Sequence, residues 1–318
     1  MSCQGWYVQN IQKQPFSVRI AHFSGENLLA LSRALVVVSS MTILKNIIRY
    51  VVASCLLSFL TMYSTALAVN YATGARVASG YQLNLYPFYY SADIRTDGDG
   101  SQSIKDLGLK RYGTFIGNNY YSGDLFLGVN IPVGTIDVGK LNAADSGIGD
   151  IQARIGWFLP VDIVTLLPVI MVKIPSGSYD VNRPVNFGDG QADIVSELYF
   201  FKLLQTLSLD TVLKYAVRFR NSASDITPGN EFTIESLLTG RVADNVRMGP
   251  AVNFITSDDS RKGGTALANS GITRLSLGGE IFYGGFKNVK ISLAAYEDIR
   301  SHNSSEGLLT MGRFTFRF

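Results

Sequence analysis

Cysteine and long hydrophobic runs are both scarce in this 318-residue sequence. The two cysteines, Cys3 and Cys55, precede residue 69, so the rest of the chain has no thiol for a disulfide bond or a cysteine metal site. Apart from residues 50–68, no uncharged apolar run reaches the ~20 residues that a membrane-spanning helix needs. A multi-span helical membrane protein is therefore excluded.

Charged residues are also few, at 17% of the chain, whereas hydrophobic residues make up 47%. A disordered protein is excluded, because such chains combine high charge with few aromatic residues. Here 2 Trp, 16 Tyr and 18 Phe are mostly spread over short alternating segments. This composition suits a soluble all-β protein or a transmembrane barrel.

The net charge of +3 comes from the N-terminal part of the chain. Residues 1–68 contain five basic residues and one acid, Glu26, which leaves 23 basic and 24 acidic residues in 69–318. A basic surface for nucleic acid is therefore unsupported there, and we expect no nucleic-acid partner.

Residues 41–68 have the three parts of a secretion signal. A short basic segment precedes an uncharged, largely apolar stretch, and Ala66-x-Ala68 is the small-residue pattern that signal peptidases accept. We predict a signal peptide over 41–68, with Ala66 and Ala68 as the cleavage signal, and we interpret residues 1–40 as an extension from a start codon placed too early. A single membrane anchor and lipoprotein cleavage before Cys55 are the alternatives.

Twelve later segments of about 11–15 residues alternate as β-strands do. In 207–219, for example, nearly all odd positions are apolar, whereas the even positions include Ser208, Asp210, Lys214 and Arg218. The segments are 81–92, 109–119, 123–133, 147–159, 163–175, 192–203, 206–220, 231–243, 246–256, 272–285, 288–298 and 307–318.

The connections between these segments alternate in length. Tight turns follow the second, fourth, sixth, eighth and tenth segments. The other connections are longer and polar. The long ones are 93–108, 134–146, 176–191, 221–230, 257–271 and 299–306. Short periplasmic turns and long external loops are typical of outer-membrane barrels, whereas a soluble sandwich has no reason for this rhythm. We therefore predict that 69–318 is all-β and forms a transmembrane antiparallel up-and-down β-barrel of about 12 strands in a bacterial outer membrane.

The C-terminal strand ends on an aromatic residue. Phe314, Phe316 and Phe318 share one face of it. This pattern looks like the signal that the outer-membrane assembly machinery recognises, so we expect that machinery and outer-membrane lipid as partners.

One face of each strand would line the lumen. On the first strand the inward side chains would be Asn84, Tyr86, Phe88 and Tyr90. The charged candidates are Asp150, Arg154, Asp210, Lys214, Arg218, Glu235, Arg241, Arg274, Glu280, Arg313 and Arg317. The charges would form a structural ion-pair network or set ion selectivity. The aromatic residues would stack on an aromatic solute or pack against residues 69–80 folded into the barrel mouth.

No residue pattern indicates an enzyme. His302 has Ser304, Ser305 and Glu306 beside it, but adjacent residues of one loop rarely form a triad, and no Gly-x-Ser-x-Gly context exists. The acidic loop 93–100 lacks the glutamate that closes a calcium loop. We expect no catalytic residue, no metal and no cofactor.

Three short stretches resemble one protein family. They are Tyr81–Gly100, which enters an Asp/Gly loop, Ser146–Ile151 with the sequence SGIGDI, and Phe187–Asp193 with the sequence FGDGQAD. The resemblance is to the outer-membrane family named for the meta-pathway of phenol degradation and covers about 80–318. It implies a porin-like channel or transporter for a small-molecule solute, aromatic or otherwise hydrophobic. A structural or adhesive barrel is the alternative, and a lipid-modifying barrel enzyme is a weaker one.

Overall fold

Residues 70–318 are described by a computed structural model and form a closed barrel of twelve antiparallel strands. The strands are β1 (Gly80–Thr96), β2 (Leu109–Ser122), β3 (Leu125–Val138), β4 (Ala143–Ile148 and Ile151–Trp157), β5 (Thr165–Ile174), β6 (Asp193–Leu204), β7 (Leu207–Arg218), β8 (Glu231–Ala243), β9 (Val246–Ser257), β10 (Thr273–Tyr283), β11 (Val289–His302) and β12 (Ser305–Arg317). Each strand pairs with its neighbours in sequence, and β12 pairs with β1. The predicted 12-stranded barrel is confirmed.

The remaining regular structure is minor. It comprises a 3-10 turn at Gly139–Leu141 and the short strands Gln102–Ile104, Ile226–Thr227, Arg261–Lys262 and Thr265–Ala266. No helix within 70–318 is long and apolar enough to cross a membrane. The extension, the signal peptide and its cleavage residues Ala66 and Ala68 lie outside the described residues.

The outer face of the barrel is apolar and exposed. Ile155 on β4 and Leu293 on β11 are 54% and 57% exposed, and many other Val, Leu and Ile side chains point outward with them. Aromatic side chains such as Tyr89 and Trp157 lie outside as well. A soluble protein rarely exposes a continuous apolar band of this kind, whereas lipid solvates it in a membrane barrel.

Two of the predicted long loops are wrong. In place of 134–146, β3 continues to Val138 and β4 starts at Ala143, and in place of 299–306 only two residues separate β11 from β12. Asn142 and Asn303 adopt left-handed conformations that close these turns tightly. Beyond the bilayer, paired strands no longer have one side that faces lipid. The alternation of apolar and polar residues that identifies strands in the sequence is therefore weaker there.

The two ends of the barrel differ in their connections. At the short-turn end, β2 to β3, β6 to β7 and β8 to β9 are each joined by two residues. At the loop end, residues 175–192 form an 18-residue connection between β5 and β6. Residues 70–79 precede β1 and therefore enter at the short-turn end.

Candidate functional site: the barrel lumen

The lumen carries aromatic side chains on β1 and its neighbours. The rings of Phe88 and Phe115 lie 5.4 Å apart, and Tyr86 and Phe88 pack against a buried cluster that includes Tyr296 and Met311. These side chains share one face because alternate residues of a strand point the same way, and the pairing of β1 with β2 and β12 aligns those faces. The result is an apolar, largely aromatic patch inside the barrel.

Charged side chains occupy the lumen on β4, β6, β7 and β8. The Arg154 guanidinium is 3.4 Å from Glu197, and the Tyr199 hydroxyl donates to Glu197 at 2.9 Å. Lys214 Nζ contacts Glu235 at 2.6 Å. Arg154, Glu197, Lys214 and Glu235 are therefore paired, as burial of a charge requires.

The other predicted lumen residues make a second set of polar contacts. Asn84 is buried and accepts a hydrogen bond from Thr315, and the Tyr90 hydroxyl is 2.9 Å from an Asp298 carboxylate oxygen. Arg274 lies 3.7 Å from Asp298. The structure thus joins β1, β10, β11 and β12 through side chains as well as backbone.

Arg241 lies at the short-turn end of β8, where its side chain is exposed. Its cross-strand neighbour Arg247, which was not predicted, is buried and donates to Thr239 Oγ1 and the Thr206 carbonyl. The inward alternation of β9 is the signal that could have identified Arg247.

Residues 70–79, called the N-terminal plug below, fill the lumen at the short-turn end. Asn70 Nδ2 and the Tyr71 backbone N–H donate to the Glu280 carboxylate at 2.5 and 2.8 Å. Arg313 donates to the Tyr71 carbonyl at 2.8 Å, and Arg247 lies over the Tyr71 ring at 4.9 Å. Glu280 and Arg313, two of the predicted lumen charges, therefore hold the plug.

The rest of the plug is attached to the rim. Arg76 forms an ion pair with Asp124 and lies over the Phe158 ring at 5.0 Å. Arg317 donates to the Ala78 carbonyl at 2.9 Å. Residues 70–79 therefore fold into the barrel mouth at the short-turn end. This is the position that one of the two alternatives for the inward aromatic residues assigned to residues 69–80.

At the loop end, the connection 175–192 folds onto the inner wall. The Phe187 ring lies beside Gly134. Its Cζ atom would be 3.1 Å from a Cβ atom added to that glycine. The Phe187 backbone N–H donates to Asp145 at 2.8 Å. This segment, called the loop cover below, therefore lies inside the upper lumen.

The loop cover is fixed by charges from two of the sequence motifs. Asp150, which interrupts β4, accepts hydrogen bonds from the N–H groups of Gly177 and Asp189 at 2.9 Å each. Lys173 lies 2.5 Å from both Asp189 and Asp193, and Arg218 is 3.9 Å from Asp193. Partial desolvation of the Asp189 carboxylate opposes its ionisation, but the positive charge of Lys173 outweighs it and lowers the Asp189 pKa to about 2. Acidic residues of the SGIGDI and FGDGQAD stretches thus hold the loop cover together.

Within residues 70–318 no group of three or more His, Cys, Asp or Glu side chains could hold a metal ion. His302 contacts Arg300 and the Gly98 carbonyl. The lumen can bind and guide a solute through ring contacts and polar groups.

Comparison with known proteins relates the chain to membrane channels. A family model described as "Putative MetA-pathway of phenol degradation" matches residues 91–314. No curated protein matches the sequence. An outer-membrane channel from Pseudomonas putida F1 superposes with a TM-score of 0.70 at 14% identity, covering 79% of this chain and 100% of that one. The P. putida toluene transporter TodX gives a TM-score of 0.43 at 11% identity over 81% and 95% of the two chains.

The family model covers more than two thirds of the chain and includes two of the three motif stretches completely. The solved channel from P. putida F1 shares the fold. The chain belongs to the family named for the MetA pathway of phenol degradation, as its motifs predicted.

Proposed function

We propose that the protein is an outer-membrane channel or transporter for small aromatic or hydrophobic molecules. The observation that carries this proposal is the aromatic patch inside a barrel whose outer face is apolar. Tyr86, Phe88 and Phe115 offer ring faces and edges to a solute, and each aromatic pair contributes about 0.5–1.5 kcal/mol beyond the area it buries. The family description, which names phenol degradation, supports the same class of solute.

The polar side of the lumen suits a solute that carries one small polar group. Within the described residues, Asn253 Oδ1 and Asn84 Nδ2 are buried and have no hydrogen-bond partner. A buried polar atom without a partner is costly, so a solute hydroxyl or a water molecule placed there would lower the free energy. A phenolic oxygen could accept a hydrogen bond from Asn84 Nδ2, because Asn84 lies beside Tyr86 of the aromatic patch.

Insertion into the membrane is part of the same proposal. Phe314 and Phe316 point outward on β12, and Phe318 is 79% exposed at its end. We assign these three residues to recognition by the outer-membrane assembly machinery, and the exposed apolar band to contact with outer-membrane lipid.

The proposal is tested by removing the aromatic patch. Phe88→Ala with Tyr86→Ala should slow the uptake of a phenolic compound by intact cells several-fold, because the solute loses its stacking partners. Tyr89→Ala with Tyr112→Ala is the matched control, since these paired rings lie exposed on the outer face. Uptake is measured with radiolabelled phenol at low concentration.

The uptake result is meaningful only for variants whose barrel assembles. Heat-modifiable migration on a gel reports barrel assembly. Normal phenol uptake by the Tyr86/Phe88 variant, or by cells that lack the protein, would contradict the proposal. In that case the ion-paired lumen with both mouths covered would favour a structural or adhesive barrel.

A further inference from the structure

Three basic side chains share the inner face of the barrel wall at the short-turn end. Arg313 and Arg317 lie two residues to either side of Thr315 on β12, and Lys290 on β11 pairs directly with Thr315. Alternate residues of a strand and directly paired residues share one face, and Thr315 is buried inside the barrel. All three basic side chains therefore belong to the lumen side of the wall.

These three cations have no carboxylate partner. Among residues 70–318, none of Lys290, Arg313 and Arg317 forms an ion pair. Lys290 is the diagonal neighbour of both arginines at ~7–8 Å, and their positive charges repel its own. On the adjacent strand β10, the Glu280 carboxylate accepts hydrogen bonds from the N-terminal plug instead. The wall thus presents an excess of positive charge to the mouth.

The two arginines are held by neutral oxygen atoms of the plug. Arg313 donates to the Tyr71 carbonyl at 2.8 Å and to the Thr73 hydroxyl at 3.4 Å. Arg317 donates to the Ala78 carbonyl at 2.9 Å. A carboxylate binds a guanidinium more strongly than these oxygens do, because it adds a negative charge and can accept two parallel hydrogen bonds. The plug therefore occupies the guanidinium groups without neutralising them.

Further donor atoms beside the cations have no acceptor. In the part of the chain that the structure describes, Arg313 Nε and Asn84 Nδ2 are buried and unpartnered, and the Asn84 side chain lies against Thr315. The exposed Lys290 ammonium forms no hydrogen bond with any residue of 70–318 and lies 5.9 Å from the centre of the Phe282 ring. Ammonium and guanidinium groups can only donate, so they require an acceptor. This group of side chains fits an anion.

The plug residue Tyr71 places both a ring and an oxygen atom on this wall. Its ring packs against Phe282 with the ring centres 4.5 Å apart, while its carbonyl oxygen accepts from Arg313. Phe282 and Arg313 both pair with Ser292 of β11, so they lie in one row across three strands. An aromatic acid has the same two features, with a carboxylate in place of the carbonyl. It therefore matches this row better than an inorganic anion, which has no ring.

We propose that the short-turn mouth binds a small aromatic acid in exchange for Tyr71. The carboxylate binds Arg313 and Lys290, and Arg317 adds positive charge at the entrance. The ring takes the place of the Tyr71 ring against Phe282. This inference rests on the proposed function and adds the solute class, which is aromatic carboxylates.

The test is benzoate binding to protein purified from outer membranes in a non-ionic detergent. Equilibrium dialysis with radiolabelled benzoate gives the Kd, and benzamide is the neutral probe of the same shape. We expect Lys290→Gln to raise the benzoate Kd at least about fivefold, because it removes one of the two charges that bind the carboxylate. The weaker binding of benzamide should not change.

Lys202→Gln is the matched control. It removes the same charge at the same end of the barrel, but Lys202 lies on β6, far from β11 around the barrel, and donates to the Ile163 carbonyl. The benzoate Kd of this variant should stay within about twofold of normal, since charges separated by more than the ~8 Å Debye length are largely screened at physiological salt. Heat-modifiable migration on a gel shows that both variants assemble.

Two further variants test the exchange with Tyr71 and the need for an anion. Tyr71→Ala removes the competing ring and should lower the benzoate Kd at least about threefold, since an aromatic pair contributes about 0.5–1.5 kcal/mol. Lys290→Glu places a carboxylate beside Arg313, where it should abolish benzoate binding and raise the temperature at which the barrel loses its folded migration. The two variants are expected to change benzoate binding in opposite directions, so a general loss of structure cannot produce both results.

The inference is overturned if native protein, Lys290→Gln and Tyr71→Ala bind benzoate equally, or if benzamide binds as tightly as benzoate. Acetate or inorganic phosphate that displaces benzoate at equal concentration would show a general anion site and overturn the aromatic class. Absent benzoate binding by a barrel that still takes up phenol would overturn this inference alone. Benzoate binding that depends on Lys290, in a protein whose loss leaves phenol uptake normal, would overturn the proposed function alone.

Discussion

The side-chain charges in the lumen act as pairs, and one pair can be tested directly. Arg154→Ser removes the cation beside Glu197, whose side chain is 1% exposed. A buried charge left without its partner costs about 3–5 kcal/mol. We expect the free energy of unfolding from lipid vesicles to fall by that amount, as measured in urea.

The control for that prediction removes both charges. Arg154→Met with Glu197→Gln leaves a neutral amide that can still accept the Tyr199 hydroxyl hydrogen bond. Most of the stability should return in this double variant. A single Arg154→Ser variant with unchanged stability would instead indicate a hydrated, conducting position, and a changed reversal potential in salt gradients would identify it.

Asp189 gives the loop cover a defined pH dependence. Its pKa of about 2 is below the ~3.9 of an unfolded aspartate, so its ion pair stabilises the cover fully above pH ~4 and is lost as the pH falls towards 2. Single-channel conductance should therefore be constant from pH 7 to 4 and rise below that range. A conductance step near pH 6 would show that another group controls the cover.

Sequence patterns predict which way these side chains point, but not what they contact. Alternation predicts that Lys214 and Glu235 point inward, since side-chain direction repeats every second residue, and both side chains are buried. Their contact depends on strand register, because the residue directly opposite Lys214 is Thr233 and the ion pair is diagonal. Register is set by the closure of the whole barrel, so a local pattern cannot reveal it.

Among the elements, β4 provides a test of membrane depth. Ile155→Arg places a charge on the outer face in the lower half of the strand, where we expect a loss of about 2–4 kcal/mol of folding free energy. Ile163→Arg is the control, because Ile163 is exposed in the short-turn connection after β4, outside the strands, and an arginine there should cost at most about 1 kcal/mol. Folding into lipid vesicles measures both, and equal costs would mean that the facing or the depth assigned to β4 is wrong.

Strands were predictable as elements, whereas the segments inside the barrel were not. Each strand repeats apolar and polar positions because one side faces lipid. The N-terminal plug has no such repeat. The Tyr71 ring contacts Phe282 and Arg247. The N–H and carbonyl of the same residue contact Glu280 and Arg313. Its conformation comes from contacts with distant strands, so its sequence alone left two alternatives open.

For the molecule as a whole, the plug and the loop cover lie in series along one axis. Resistances in series add, so removing one cover leaves the other to limit ion flow. We expect deletion of residues 70–78 alone, or Asp189→Asn alone, to raise single-channel conductance only modestly. Combining both changes should raise it at least about threefold above either one, because the axial path is then free at both ends.

Asp180→Asn is the matched control for the loop cover, since the side-chain contacts of Asp180 stay within its own loop. Combined with the plug deletion, it should add nothing to the conductance. Planar bilayer recordings at neutral pH compare the four variants in either orientation, because series resistances do not depend on direction. If the plug deletion alone gave the full increase, the loop cover would not obstruct the axial path.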